Sequence, residues 1–467
     1  MYSSYLKSRH DLCKKLVSTL EKDYEYVSVL GKHVTGSQIR VTSAATAVND
    51  TAEKQCGFVV KLFNGKTCAE YSFSDINEDN FDEIVKNIKE KTSISKELLD
   101  EHVNLGKMSD EKLVKDFQRE VEDKVPSVQE TIERLTKIKD GLHAYSDKIV
   151  QAAAILIYYE TSALFISKNK DLTQNYTWIN VISMAVAKEG NNFKSSRNVG
   201  AYNSFEKSFK KIEDEINDTA QLALDLLHST LIEPGVYDII TEPSITGLIA
   251  HEAFGHGVEM DMFVKNRAKS MHYLNKEVAS PLVEMHDGAA ATLSSASYFF
   301  DDDGVLAQDT LIIKDGILQR GISDAVSALQ LGSVPTGNGR RESYKRKAYT
   351  RMTNTFFSPK GDKVEDMIKS IKHGYLLCQT SNGMEDPKNW NIQCVCEYGR
   401  EIKDGKFTGK IVSPVVMSGY VPDLLKSISM VSDKKVVIGS GHCGKGYKEW
   451  VTVSDGGPYL KARCKLG

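Results

Sequence analysis

The chain has 467 residues, 41% of them hydrophobic and 26% charged, with a formal net charge of −3. That size and balance describe a globular protein of roughly two to four domains with room for a large unstapled core. The near-neutral charge excludes any general drive toward nucleic acid or an anionic membrane.

The N-terminus, MYSSYLKSRHDLCKKL, lacks the apolar run of a signal peptide. The longest apolar run, VQAAAILIYY, is about half of a membrane span. The eight cysteines are scattered and suggest no disulfide framework. A cytoplasmic protein with reduced thiols and no membrane contact is expected.

The opening reads as a helix through Tyr5, Leu6, Leu12, Leu16, Val17 and Leu20. YEYVSVL alternates as a strand. FVVKLF-NG-KTCAEYSFS reads as a hairpin with a type I′ turn. Residues 80 to 93 and 127 to 140 read as helices. IVQAAAILIYYE, SALFISKN and YTWINVISMAVAKE read as separate β-runs. Residues 205 to 230 read as one long amphipathic helix. Around Pro234 the pattern changes. VYDIITE is a strand ended by Pro243, and Ser244 is a plausible N-cap for a helix over SITGLIAHEAFGHGVEMD. After residue 275 the sequence becomes β-rich and glycine-punctuated, with Asp-Gly turns. The expected fold is α+β: a hairpin-paired N-terminal α/β domain over 1–232 and a β-rich, barrel-like C-terminal domain over 233–467. The HEAFGH helix lies at their junction.

That helix carries the chemistry. His251 and His256 are five residues apart. A regular helix turns about 100° per residue, which places them about 140° apart, nearly opposite. A π-bulge, with a turn widened to i→i+5 bonding, would bring them together, and Gly255 lowers the cost of such a distortion. Glu252 would then sit beside a bound ion, where a carboxylate can take a proton from water. Without an ion, the same residues are ordinary helix histidines. A catalytic zinc needs a third protein ligand. Candidates are Cys394, Cys396, Cys443 and distant carboxylates. Cys394 and Cys396 read as structural. Cys443 lies in a glycine-rich loop, 439–446, with Lys445 nearby to favour a thiolate. His442 should point the other way. Glu259 and Asp261 are candidates to orient the histidines, or else solvated charges.

HEAFGHGVEMD (251–261), RMTNT (351–355), GMEDPKNWNIQC (383–394) and GHCGKG (441–446), in that order, resemble the TldD/PmbA family. Its members were once described as modulators of DNA gyrase and are now understood as metallopeptidases. The resemblance runs along most of the chain and is strongest from about 235 to 460. It implies one zinc per chain held by His251, His256 and Cys443, with Glu252 as the catalytic carboxylate. It also implies a dimer, either with itself or with a TldE/PmbA-like subunit, and an enclosed site for unfolded or flexible peptides. His442, where a small residue would be less intrusive, is a departure from the pattern.

Arg351 and Asn354 are candidates to line the substrate channel, or else to form a buried polar turn. GNGRRESYKRK (337–347) reads as a solvated basic loop, and DDDG (301–304) as a turn. The expectation is a zinc-dependent peptidase. The alternatives are a non-catalytic regulatory subunit and an enzyme active only with a TldE-like partner.

Overall fold

A computed structural model describes residues 2–64, 67–93, 106–446 and 449–467. The first part of the chain builds an eight-stranded sheet. Its strands run in the order Cys68–Phe73, Gln55–Phe63, Tyr26–Thr42, Ile149–Ser167, Lys170–Glu189 and Leu113–Gln118. Thr46–Asp50 and Asn192–Tyr202 are added to Tyr26–Thr42 and Lys170–Glu189 respectively. Hairpin pairing dominates, as the sequence suggests, and only Leu113–Gln118 joins in parallel. The hairpin Gln55–Phe63 with Cys68–Phe73 is present, while the type of its Asn-Gly turn lies outside the described residues.

Helices cover this sheet because their apolar stripes match its apolar rows. Helix Ser4–Leu20, capped by the Ser3 side chain, sets Leu6, Leu16 and Leu20 against Val27, Val29 and Phe58. Helix Val128–Ala144 begins with a capping box, Ser127 with Glu130, and packs Leu135, Ile138 and Leu142 on the other half of the sheet.

Two expectations change here. IVQAAAILIYYE and SALFISKN are one 19-residue strand, Ile149–Ser167. It is paired along both edges, and its polar middle is satisfied by partners such as the Ser3 N–H, which donates to Ser162 Oγ. The expected long helix is two, Phe205–Asp214 and Ile216–Leu227. Glu215 leaves helical geometry between them (φ −114°), and its carboxylate accepts from Asn198 and Lys211.

The second part builds a two-stranded sheet, Gly339–Arg340 with Tyr349–Thr350, and two large ones. One has six strands, ordered Ile317–Leu318, Thr310–Lys314, Met285–Asp287, Asn354–Phe357, Glu449–Gly457 and Val436–Lys445. Its first hairpin turns at Asp315-Gly316, both with positive φ, as an Asp-Gly turn should. The other is a barrel. Gly235–Thr241, Leu460–Leu466, Val415–Tyr420, Asn391–Lys403 and His373–Asp386 pair in sequence, and the last pairs back to the first, closing five strands. Cys394 and Cys396, two apart on one strand, both sit in the core against the barrel interior. The expected mixed, β-rich fold with a barrel is therefore found.

The motif segment runs between barrel and six-stranded sheet. Ile245, Leu248, Phe254 and Val258 share one core with Leu377 and Met417 of the barrel and with Met285, Phe357 and Val453 of the sheet. No described helix is long and apolar enough to cross a membrane.

The eight-stranded sheet meets this region through buried charge. Asp302 takes Lys32 at 2.7 Å, Asp303 takes Lys61, and Arg341 takes Glu70 at 3.1 Å. The DDDG segment is a turn, as expected, but its three aspartates are buried. The basic stretch 337–347 is not simply solvated. Arg341 is buried, and Arg340 donates to the carbonyls of Met352 and Thr452.

Candidate metal centre

Residues 243–264 do not form one helix. Pro243–Leu248 is α-helical, Ile249–Gly255 is π-helical, His256–Val258 closes as a 3-10 turn, and Met260–Val264 is α-helical again. Glu242, not Ser244, is the N-cap, with Pro243 at the first helical position. The wide turn absorbs the extra residue between the histidines and brings their ring centroids to 5.3 Å. The expected π-bulge is present. Its glycine has another reason, because Gly255 has ordinary right-handed angles (φ −62°, ψ −48°). A Cβ there would stand 2.1 Å from Met352 Sδ, so the position needs space rather than conformational freedom.

Cys443 arrives from the six-stranded sheet. The expected loop 439–446 is mostly the strand Val436–Lys445, with a register shift between Ile438 and Gly441. Strand alternation turns Cys443 toward the histidines. His442 turns away, its Nε2 3.3 Å from Glu53 Oε1. Cys443 Sγ lies 3.3 Å from His256 Nε2. One donor atom from each of His251, His256 and Cys443 lies within 4.8 Å of the others, the one such cluster found among the described residues.

Burial opposes a thiolate at Cys443, but the His256 and His251 rings outweigh it and hold the thiol well below its usual range. Burial likewise opposes the imidazolium forms, and the Cys443 sulfur overcomes it. His251 rises to about 9, and His256 rises well above its ordinary value. Lys445 does not act on the thiol as expected. Its ammonium is held by Glu259 at 3.0 Å, Asp261 at 2.7 Å and the Thr350 carbonyl.

The flanking residues divide clearly. Glu259 is buried and accepts from His256 Nδ1 at 3.1 Å, which leaves Nε2 directed at Cys443. Asp261 is linked to His256 through Lys445 and then Glu259. Arg351 is buried and donates to the carbonyls of Cys443 (2.5 Å) and Glu449 (2.9 Å), so it braces the cysteine strand rather than lining a channel. Asn354 is also buried. It donates to the carbonyls of Gly288 and Thr292 and to Ser297 Oγ, which ties loops together away from the groove. Arg351 Nε and Asn354 Oδ1 are buried without a hydrogen-bond partner, and neither residue lines the groove described next.

Above the cluster lies a groove of about 1330 Å³, lined by His251, Glu252, His256 and Cys443. Its walls are the strand Asn192–Tyr202, the barrel segment 379–387 and the strand Val436–Lys445. Glu252 Oε2 is 3.9 Å from His256 Nε2. Asp455 and Glu385 are among the groove carboxylates not named from the sequence. Asp455 lines the floor, and burial pushes its carboxyl up to about 6. Its one signal was its place on the strand paired with that of Cys443. Glu385 accepts from the Gly257 N–H at 2.9 Å and belongs to GMEDPKNWNIQC, a motif that carried no assigned role.

The donor set fits zinc. Tetrahedral zinc with thiolate and imidazole ligands places donor atoms roughly 3.3–3.6 Å apart, within small side-chain rotations of the observed cluster. His251 Nδ1 is buried without a hydrogen-bond partner, an atom for which metal ligation or a water supplies a reason. A thiolate beside two protonated rings is also a set that a divalent cation can enter by displacing the ring protons.

Residues 234–463 match the family model described as the PmbA/TldA metallopeptidase C-terminal domain. A metalloprotease of Methanothermobacter thermautotrophicus is 29% identical over 345 residues, 72% of this chain and 74% of its own. A zinc metalloprotease TldD homolog of Saccharolobus solfataricus is 25% identical over 375 residues, 79% of this chain and 82% of its own. The crystal structure of TldE from Thermococcus kodakarensis covers 98% of this chain and 100% of its own with a TM-score of 0.75; at 15% identity it speaks for the fold alone. Residues 234–463 thus carry a PmbA/TldA-type metallopeptidase C-terminal domain, and motif order, relatives aligned over most of the chain and a shared fold liken the whole protein to the TldD/PmbA family.

Proposed function

We propose that this chain is a zinc-dependent peptidase of the TldD type, acting on unfolded or flexible peptides. The observation that carries the reading is the cluster of His251, His256 and Cys443 at the floor of an open groove, with Glu252 beside it. A zinc ion held by these three residues would supply Lewis acidity to polarise a scissile carbonyl and to acidify water. Glu252 accepts the proton of the attacking water and delivers it to the leaving amine. Glu259 holds His256 in the tautomer that presents Nε2.

Val436–Lys445 is the outer strand of its sheet and lies along the groove. An extended peptide can add to it through main-chain hydrogen bonds, which gives broad sequence tolerance. Residues 1–232 contribute the facing wall through Asn192–Tyr202. Assembly as a homodimer or with a TldE-like subunit belongs to the same reading.

Elemental analysis of the wild type beside His256→Ala and Cys443→Ala tests the ligands. About one zinc per chain, lost in both variants, is expected. Glu252→Gln should keep zinc and lose hydrolysis. Equal turnover in that variant would end the mechanism, and a zinc-free wild type after metal addition would favour a binding subunit.

A further inference from the structure

The motif GMEDPKNWNIQC lies on the barrel wall that faces the histidine turn. Its first half ends the strand His373–Asp386, and its second half begins Asn391–Lys403. Gly383 pairs with Cys394, and Glu385 pairs with Ile392. Gly383 and Glu385 are two apart, so both project from one face of their strand. That face meets the motif helix at two points.

The first is Glu252. A Cβ on Gly383 would stand 2.5 Å from Glu252 Cγ and 3.1 Å from Glu252 Cβ. No side chain fits at 383 while Glu252 keeps its place. The second is the turn after His256. Where the π-helix narrows into the 3-10 turn, the Gly257 N–H bonds sideways to Glu385 Oε2 at 2.9 Å. The Gly257 carbonyl accepts from Ser270 Oγ, so the residue after His256 is held through both its N–H and its carbonyl. Gly257 has no room of its own. A Cβ there would stand 2.7 Å from Glu385 Oε1 and 3.5 Å from Trp390 Nε1. Trp390, from the same motif, is fully buried against Phe254 and Tyr273 and anchors the arrangement.

We propose that Gly383 and Glu385 are positioning residues for the metal–base centre, Gly383 by leaving the space that Glu252 occupies and Glu385 by fixing the turn that aims His256. The inference rests on the zinc-peptidase reading and assigns separate tasks within it. Glu385 governs metal affinity, because a ligand ring set on a loosened turn binds less tightly. Gly383 governs turnover, because it touches the base and none of the ligands.

The test uses full-length Glu385→Ala, Glu385→Gln and Gly383→Ala. Zinc affinity is read by competition with a chromophoric chelator. kcat and KM are read on a fluorogenic unstructured peptide. Glu385→Ala should bind zinc ~10–100-fold more weakly. Glu385→Gln keeps an acceptor oxygen and should recover most of the loss. Gly383→Ala should keep wild-type zinc affinity and KM while kcat falls ~100-fold or more, the scale of a displaced general base. Glu385→Ala with wild-type zinc affinity, or Ala and Gln equally weak, would overturn the role of Glu385. Gly383→Ala with wild-type kcat, or with zinc and kcat lost together, would overturn that of Gly383. Melting of the metal-free proteins identifies a variant that has not folded, and if Gly383→Ala is one, the Glu385 pair decides. A wild type that binds no zinc removes the peptidase reading and this inference with it. Zinc binding and turnover in the wild type with indifferent variants removes the inference alone.

Discussion

Glu259→Ala is the most informative single change at the centre. Glu259 is surrounded by three cations: Lys445 at 3.0 Å, His256 at 3.1 Å and Arg351 at 3.9 Å. Breaking a buried ion pair costs about 3–5 kcal/mol when a charge is left alone. Here two of the three cations keep partners. Lys445 retains Asp261 at 2.7 Å, and Arg351 retains the carbonyls of Cys443 and Glu449. Only His256 Nδ1 loses its acceptor. The relevant cost is therefore that of one buried unsatisfied donor, about 1–3 kcal/mol. At about 1.4 kcal/mol per tenfold, this weakens zinc binding by roughly one to two orders of magnitude. Glu259→Gln keeps an oxygen acceptor without the charge and should fall between wild type and Ala. Chelator competition on the folded variants measures this directly. A folded Glu259→Ala protein that binds zinc as tightly as the wild type would refute the reasoning.

Acid stability should report the buried network between the two parts. Burial raises the Glu70 carboxyl, but Lys61 and Arg341 outweigh it and bring it from 4.5 to about 2. A depressed carboxyl stabilises the folded state above its unfolded pKa, and that contribution is lost as pH falls from 4.5 toward 2. The contribution is on the order of 3 kcal/mol, so Glu70→Gln should flatten the acid limb of a stability–pH curve, and an unchanged limb would exclude the assignment. Gly255→Ala places a methyl 2.1 Å from Met352 Sδ and should cost about 1–3 kcal/mol in urea unfolding. Adding Met352→Ala should recover part of that loss, and strictly additive losses would show that the clash lies elsewhere. Removing zinc with a chelator should lower the melting temperature of the wild type and leave that of Cys443→Ala nearly unchanged, since only a protein that binds the metal is stabilised by it.

Much of the chemistry was readable before any coordinates. The interval of five between His251 and His256, with the angle per residue of a helix, is enough to require a bulge, because helix geometry is local. The alternation of His442 and Cys443 is likewise local and came out as expected. Hairpin pairing and the β-rich second half follow from period and turn residues. Local reasoning failed where a partner was distant. Lys445 stands two residues from Cys443 yet serves Glu259 and Asp261. For Arg351 and Asn354 the sequence leaves a channel lining and a buried polar turn both open, and the buried bracing role is the one found. Residue 205 onward had the periodicity of one helix, but Asn198 drew Glu215 out of it.

The sequence by itself determined the candidate donor residues, the need for a bulge if both histidines are to meet, the broad order of elements and the likeness to the family, because each depends on spacing or on motif order along the chain. Only the tertiary structure decided that Cys443, 187 positions from His256, meets it at 3.3 Å. It also decided that Glu385 and Gly383 face the turn and Glu252, and that a DDDG turn is a buried junction. Those contacts depend on which strands pair and which sheets pack, and packing is a property of the whole core rather than of any one segment.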